Sequence, residues 1–187
     1  MELLDPACPL HGPGIDPSSL VGSRLVEVLA SWHTYGERPA DGPVEVWLID
    51  DHGGSTNIAS GTDWCLVVES SGPDDGFDMG DWGRIDVRPV RDETPFAAHL
   101  GEVVLDVRQE WEPATGRVAL ELDFRSGSVR CESWSGDLRV LAVGGAPGPP
   151  PPHPKPTKLS WWGFKSGGAR RKNNPGAARP QQPRPPP

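Results

Sequence analysis

The chain contains the same pattern twice, and this repeat constrains its fold more than any other feature. Gly22 is followed, after two residues, by Leu-Val-Glu-Val, and Gly101 is followed at the same interval by Val-Leu-Asp-Val. Similar matches recur farther along both copies, where apolar residues alternate with polar ones before a glycine turn. Because self-similarity of this kind indicates duplicated supersecondary units, we expect two related units, 16–68 and 94–143.

A proline turn leads into each unit. Asp16 precedes Pro17 in the first copy, and Thr94 precedes Pro95 in the second. Asp and Thr are favourable helix N-caps, and proline is tolerated at the first helical position because the N–H that it lacks would have no intrahelical partner there. We expect one short helical turn ahead of each unit.

Alternating apolar and polar residues indicate strands that bury one face. The predicted strands are 24–32, 44–49, 55–60 and 64–69 in the first unit, and 103–111, 117–124, 128–133 and 138–143 in the second. A small sheet needs a partner layer to bury its apolar face. The predicted fold is therefore mainly β, with two tandem four-stranded antiparallel units packed as a pseudo-two-fold sandwich or barrel.

Charge divides the chain into a strongly acidic body and a basic tail. All 26 carboxylates and ten arginines lie before residue 144, where lysine is absent and the formal charge is −16. The remaining residues carry four lysines, four arginines and no acid, a formal charge of +8. We divide the chain into an N-terminal arm (1–15), the duplicated β domain (16–143) with an acidic insertion (70–93), and a tail (144–187).

The tail is rich in proline, which can neither continue a helix nor donate to a sheet. We expect it to be disordered or locally polyproline II, because few apolar side chains are available to offset the ordering entropy. Trp161, Trp162 and Phe164 lie among basic residues, a combination that can contact nucleic acid or an anionic surface. A solvated extension is the simpler interpretation, and the acidic body itself is not expected to bind nucleic acid.

Carboxylates lie among glycines and aromatic residues within the acidic insertion. The alternating ligands, the sixth-position glycine and the closing glutamate of an EF-hand are not all present together, so we predict no metal site there. A flexible acidic loop with aromatic anchors suits a basic protein partner, because the anchors contribute affinity and complementary charge speeds association. The candidate partner-binding residues are Asp74, Asp75, Phe77, Asp78, Asp81 and Trp82.

Three cysteines, an odd number, do not indicate a disulfide framework. Cys65 and Cys131 fall inside predicted strands, so we interpret them as buried, reduced thiols that pack as small hydrophobes. Cys8 and His11 have a ligand-like spacing, but a single pair beside Pro9 is interpreted as accidental. No metal ion or other cofactor is predicted.

Motifs that carry chemistry are absent from the sequence. The chain has no glycine-rich phosphate loop, no nucleophile elbow and no paired zinc ligands, so we predict no catalytic residues and do not expect an enzyme. It contains no apolar stretch of the roughly 20 residues that span a membrane, and its N-terminal residues do not resemble a secretory signal. We expect a cytoplasmic protein.

The strand-and-turn pattern of residues 44–66, with its echo at 118–138, resembles small uncharacterised β domains of GC-rich actinobacteria, some of which are similar to immunity proteins of polymorphic toxin systems. The resemblance covers residues 16–143 and includes no functional residue. It implies a protein that binds its partner stoichiometrically.

Two functional hypotheses follow. The first is a non-catalytic cytosolic binding protein of the immunity type, whose acidic surface binds a basic protein. The alternative is a small-molecule-binding or enzymatic β-barrel with a pocket between the two units, lined by tryptophans and carboxylates. A purely structural role is a third option, since negative surface charge also serves solubility.

Overall fold

A computed structural model describes residue 8, residues 10–12 and residues 14–144, and these form a two-sheet β structure. The strands are β1 (Leu25–Tyr35), β2 (Arg38–Pro39), β3 (Glu45–Asp50), β4 (Ser55–Ser60), β5 (Leu66–Ser70), β6 (Phe77–Asp78), β7 (Arg84–Pro89), β8 (Asp106–Glu112), β9 (Gly116–Phe124), β10 (Gly127–Trp134) and β11 (Asp137–Val143). Three 3-10 helices complete the fold, at Pro17–Leu20, Gly80–Trp82 and Pro95–His99. The interpretation of the tail concerns residues outside the described part of the chain.

The repeat predicted from the sequence is confirmed by the sheet topology. The first sheet has the strand order β5-β4-β3-β1-β7-β6, with β2 paired to β1, and the second has the order β11-β10-β9-β8. Each unit therefore contributes one antiparallel meander of four strands, β1-β3-β4-β5 in the first and β8-β9-β10-β11 in the second. A 3-10 helix precedes each meander, as the two proline pairs predicted.

The two sheets pack against each other around one hydrophobic core. The first unit contributes buried residues such as Val28 and Ile58, and the second contributes Leu120 and Val129, all at most 1% exposed. Phe96, from the third 3-10 helix, is fully buried in the same cluster. Burial of each such side chain is worth about 1.5–3 kcal/mol relative to exposure. The space between the sheets is filled by apolar side chains of both units, which is the arrangement of a sandwich.

The acidic insertion differs from the flexible loop that we predicted, because half of it extends the first sheet. β7 pairs with β1 from Leu29↔Pro89 to Thr34↔Arg84, and the two-residue β6 pairs with β7. Within β7, Ile85 and Val87 alternate with charged residues and are half-buried. This alternation is a strand signal, and the surrounding glycines and aspartates concealed it.

Several strand boundaries also differ from the prediction, and β1 continues past residue 32 to Tyr35. β8 begins at Asp106 instead of residue 103, because Val103 forms an isolated bridge with Arg24 at the junction of the two units. β5 begins at Leu66, so that Cys65 lies in the preceding turn and not in a strand. No helix in the described part of the chain is long and apolar enough to cross a membrane.

Candidate functional site

A tight turn near the start of the described chain presents two potential ligands. Cys8 and Gly12 form an isolated antiparallel bridge, in which the Cys8 N–H donates to the Gly12 carbonyl at 3.2 Å and the Gly12 N–H donates to the Cys8 carbonyl at 2.8 Å. The turn also directs the N–H of His11 to the Cys8 Sγ, at 3.2 Å. The imidazole Nδ1 of His11 lies 3.2 Å from the same sulfur.

A second turn, between β4 and β5, presents two more potential ligands. The Gly61 N–H donates to the Cys65 carbonyl at 2.8 Å, and the Trp64 N–H donates to the Gly61 carbonyl at 3.0 Å. Trp64 has a φ of 68°, a conformation that non-glycine residues rarely adopt. Asp63 and Cys65 flank this strained residue, so the turn places a carboxylate and a thiol two residues apart.

The two turns bring four potential metal ligands together. The donor atoms of Cys8, His11, Asp63 and Cys65 all lie within 4.8 Å of one another. The Cys8 thiol donates to the Asp63 Oδ2 at 2.8 Å, and the His11 Nδ1 lies 3.4 Å from the Asp63 Oδ1 and 3.5 Å from the Cys65 Sγ. Cys8 and Cys65 are buried, and all three cysteines of the chain are free thiols, as predicted.

The sequence analysis treated Cys8 and His11 as a single pair, and the structure brings them beside Asp63 and Cys65. The sequence did not indicate this because Asp63 and Cys65 are more than fifty residues away from the pair. The backbone N–H of Ile15 donates to the Val68 carbonyl at 2.9 Å, which aligns Ile15 with β5. The sequence signal that could have indicated this site is the turn Gly-Thr-Asp-Trp-Cys, which has no counterpart in the second unit.

Hydrogen bonding and burial shift the titration of two members of the cluster. The Cys8 thiol, as hydrogen-bond donor, lowers the pKa of Asp63 to about 2. Burial, reinforced by hydrogen bonds with Cys8 and Asp63, raises the pKa of the Cys65 thiol well above its ordinary value. Both directions agree with the general effects of charged-form hydrogen bonding and desolvation.

A buried arginine lies beside the cluster. Arg117, 4% exposed, donates from Nη2 to the Ile15 carbonyl at 3.2 Å and from Nε to the Gln109 Oε1 at 2.8 Å, and its guanidinium stacks on Trp111. Arg117 and the cysteines of the cluster line one small cavity of about 10 Å³. Burial lowers the pKa of Arg117, but an arginine stays charged under any ordinary condition.

The predicted partner-binding residues lie on one segment at the outer edge of the first sheet, which we call the acidic edge (residues 74–82). Two of them precede β6, two form β6, and two lie in the 3-10 helix that follows. All six are exposed, and the aromatic pair, Phe77 and Trp82, is 56% and 62% exposed. The structure therefore places these residues on one continuous surface segment.

A groove of about 540 Å³ lies on the surface between the two units. Asp41 and Ser60 line it from the first unit, and Trp134, Asp137 and Arg139 line it from the second. The Arg139 guanidinium stacks over the Trp134 ring, 5.0 Å from its centroid. The groove lies outside the filled core between the sheets, and one tryptophan and three carboxylates line it: Trp134, Asp41, Glu93 and Asp137.

Comparison with known proteins gives no relative: no protein-family model, curated protein or solved structure matches the chain.

Proposed function

We propose that this protein is a non-catalytic cytoplasmic binding protein that uses the acidic edge to bind a basic protein partner, in the manner of an immunity-type inhibitor. The observation that carries the proposal is the presence of two exposed aromatic side chains, Phe77 and Trp82, among four exposed aspartates. Aromatic anchors of this kind often dominate interface energetics. The free thiols of the domain are compatible with a reducing compartment.

The carboxylates of the acidic edge are available to a partner. Elsewhere in the domain, arginines neutralise nearby acids: Arg108 pairs with Asp123 and Arg130 with Glu110, both at 2.6 Å. Within the described residues, no ion pair includes an aspartate of the acidic edge. Arg84, opposite Asp78 in the sheet, pairs with Asp86 instead, so the negative charge of the acidic edge would steer a basic protein toward this surface.

The acidic edge is also held in place before any partner arrives. The His33 Nε2 lies 2.8 Å from the Trp82 carbonyl, in hydrogen-bond contact. Gly83 approaches β1 so closely that a Cβ at this position would lie 2.2 Å from the Thr34 carbonyl oxygen. Because a fixed backbone loses less conformational entropy on association, this anchoring favours tight binding.

Affinity capture with charge variants tests the proposal. The full-length chain is immobilised and exposed to lysate of its native source, beside a variant in which the four aspartates of the acidic edge become asparagine. A matched control neutralises four exposed glutamates elsewhere, Glu27, Glu37, Glu69 and Glu112, to glutamine. We expect the wild type and the control to retain a basic protein, with at least about tenfold less recovered by the acidic-edge variant and progressive loss as salt rises.

Phe77→Ala and Trp82→Ala separate the aromatic contribution from charge. Each is expected to weaken binding of the captured partner by more than about 1 kcal/mol. Retention of an acidic partner, or equal retention by the two charge variants, would contradict the proposal.

Small-molecule binding in the groove between the units is a second candidate, because its volume of about 540 Å³ lies within the usual range of ligand sites. Ala40 lines this groove, so Ala40→Trp should occlude it, whereas Ala142→Trp alters an exposed residue outside its lining. A thermal-shift screen of small polar molecules would support this candidate if a hit were lost in the first variant and kept in the second. A screen without such a hit would count against it.

A further inference from the structure

We propose that Cys8, His11, Asp63 and Cys65 bind one Zn²⁺ ion in a closed structural site that fastens the Cys8–Gly12 turn to the first sheet. This inference does not depend on the proposed function. Zinc takes thiolate, imidazole and carboxylate ligands and is almost always four-coordinate in structural sites. Calcium and magnesium prefer oxygen ligands alone, so the thiols exclude them as the resident ion.

Three of the separations between donor atoms are close to those of a tetrahedral zinc site, and all of them lie within 4.8 Å. Zinc–ligand bonds of about 2.0–2.3 Å imply ligand–ligand distances of about 3.3–3.8 Å. The His11 Nδ1 lies 3.2 Å from the Cys8 Sγ, 3.5 Å from the Cys65 Sγ and 3.4 Å from an Asp63 oxygen. The separation of 2.8 Å between the Cys8 Sγ and Asp63 Oδ2 is a hydrogen-bond length, which a shared ion would lengthen.

The surrounding backbone supports metal ligation. The His11 N–H donates to the Cys8 Sγ, an interaction that stabilises a thiolate and orients it, as outer-shell contacts do in metal sites. Gly61 leaves room for the cluster, since a Cβ there would lie 2.8 Å from the His11 Cε1 and 2.9 Å from the Cys65 Sγ. Any side chain at this position would enter the space between the ligands.

Comparison of the two units shows that these ligands are an addition to the duplicated scaffold. Between β10 and β11 the second unit needs only the two-residue turn Ser135–Gly136. The corresponding connection in the first unit spans the five residues 61–65. Both turns contain one non-glycine residue with a positive φ, Trp64 at 68° and Ser135 at 55°. The turns therefore differ in length and in the Asp63 and Cys65 side chains of the longer one, and a metal site accounts for that difference.

The charge of the bound site is also balanced. Zn²⁺ with two thiolates and one carboxylate carries a net charge of −1, which would be costly next to a hydrophobic core. Arg117 is buried beside the cluster and lines the same small cavity as both cysteines. Its guanidinium is a buried positive charge beside the cluster and would compensate the net negative charge of the bound site.

The direct test is metal analysis of the full-length protein purified under reducing conditions without a chelator. We expect one equivalent of zinc per chain by mass spectrometry. Replacement with Co²⁺ should produce the intense visible bands of a tetrahedral site and a thiolate-to-cobalt charge-transfer band. Zinc should protect two of the three cysteines, Cys8 and Cys65, from alkylation until a chelator is added.

Variants with matched controls assign the ligands. His11→Ala and Asp63→Asn should lower zinc affinity by on the order of 100-fold or more, whereas His52→Ala and Asp92→Asn, which change exposed residues outside the cluster, should not. Cys65→Ser should abolish the cobalt charge-transfer band, and Cys131→Ala should retain it. His11 is the most exposed ligand, so its variant keeps the test valid if the cysteine variants fail to fold.

Three results would overturn the proposal: a purified protein that binds neither zinc nor cobalt stoichiometrically, unchanged affinity in both His11→Ala and Asp63→Asn, or a Cys8–Cys65 disulfide as the resting state under reducing purification.

Discussion

Arg24 and Val103 form an isolated antiparallel bridge at the centre of the junction between the two units. Two backbone hydrogen bonds flank the bridge symmetrically. The Gly22 N–H donates to the Val104 carbonyl at 2.9 Å, and the Gly101 N–H donates to the Leu25 carbonyl at 2.7 Å. A shift of 79 residues in the sequence converts each of these hydrogen bonds into the other and maps Arg24 onto Val103. The pseudo-two-fold axis of the duplicated domain therefore passes through this bridge.

The symmetry predicts equal effects of alanine at the two junction glycines. Gly22 and Gly101 have φ values of 91° and 84°, and an added Cβ would meet no atom within 4 Å at either site. Because the cost is conformational and not steric, we expect Gly22→Ala and Gly101→Ala each to lower the free energy of unfolding by about 1 kcal/mol. Urea denaturation measures this change in the free energy of unfolding. Gly72→Ala, in open space without a positive φ, is the control; losses that differ by more than about 1 kcal/mol would contradict an equivalent role.

The two helix caps, in contrast, should respond differently to substitution. The Asp16 Oδ1 accepts a hydrogen bond from the Ser18 N–H at 3.0 Å, whereas the buried Oγ1 of Thr94 has no hydrogen-bond partner among the described residues. We expect Asp16→Ala to cost about 1 kcal/mol. Thr94→Val should be neutral or stabilising, because it removes a buried hydroxyl that makes no bond. Thermal unfolding of both variants checks this, and a loss of stability in Thr94→Val would reveal a partner for that hydroxyl.

Glu93 should make the stability of the domain depend on pH. Its carboxylate accepts from the backbone N–H of Arg91 at 2.8 Å and pairs with the Arg88 guanidinium, and these contacts lower its pKa from 4.5 to about 2. Since the folded-state pKa lies below the unfolded value, the stabilisation is present above about pH 4.5 and is lost as the pH falls toward 2.

Glu93→Gln measures this contribution. We expect it to cost about 1–2 kcal/mol near neutral pH, after allowance for partial exposure, and progressively less in acid. Denaturant unfolding near pH 7 and pH 3.5, beside the exposed Glu37→Gln, provides the comparison. A penalty that stays constant over this pH range would mean that charge is not the cause.

Gly61→Ala should weaken zinc binding without removing a ligand. The new methyl group would lie within 3 Å of the His11 Cε1, the Asp63 Oδ1 and the Cys65 Sγ. We expect zinc affinity to fall by about 10- to 100-fold, as when the surroundings of a metal site are altered. Competition with a chromophoric chelator measures the affinity, and Gly72→Ala should leave it unchanged. Equal affinities in the two variants would show that the ligands do not converge beside Gly61.

Prediction from the sequence succeeded where the signal was local. The meanders and their proline turns follow from alternation, glycine turns and N-caps, all of which act over a few residues. β7 was missed because its alternating segment lies among glycines and aspartates, and its pairing with β1 joins residues 50 to 60 positions apart. The contact of Cys65 with His11 was missed for the same reason, since His11 belongs to a different part of the chain.

The sequence by itself determined the duplicated β scaffold and the exposed, acidic character of the insertion, because hydrophobic periodicity and charge are properties of neighbouring residues. Only the tertiary structure decided that the insertion extends the first sheet and that Cys8 and His11 meet Asp63 and Cys65. Contacts of this kind close long loops, and the favourable packing that offsets the entropy of closure comes from the whole fold. No short stretch of the chain contains that information.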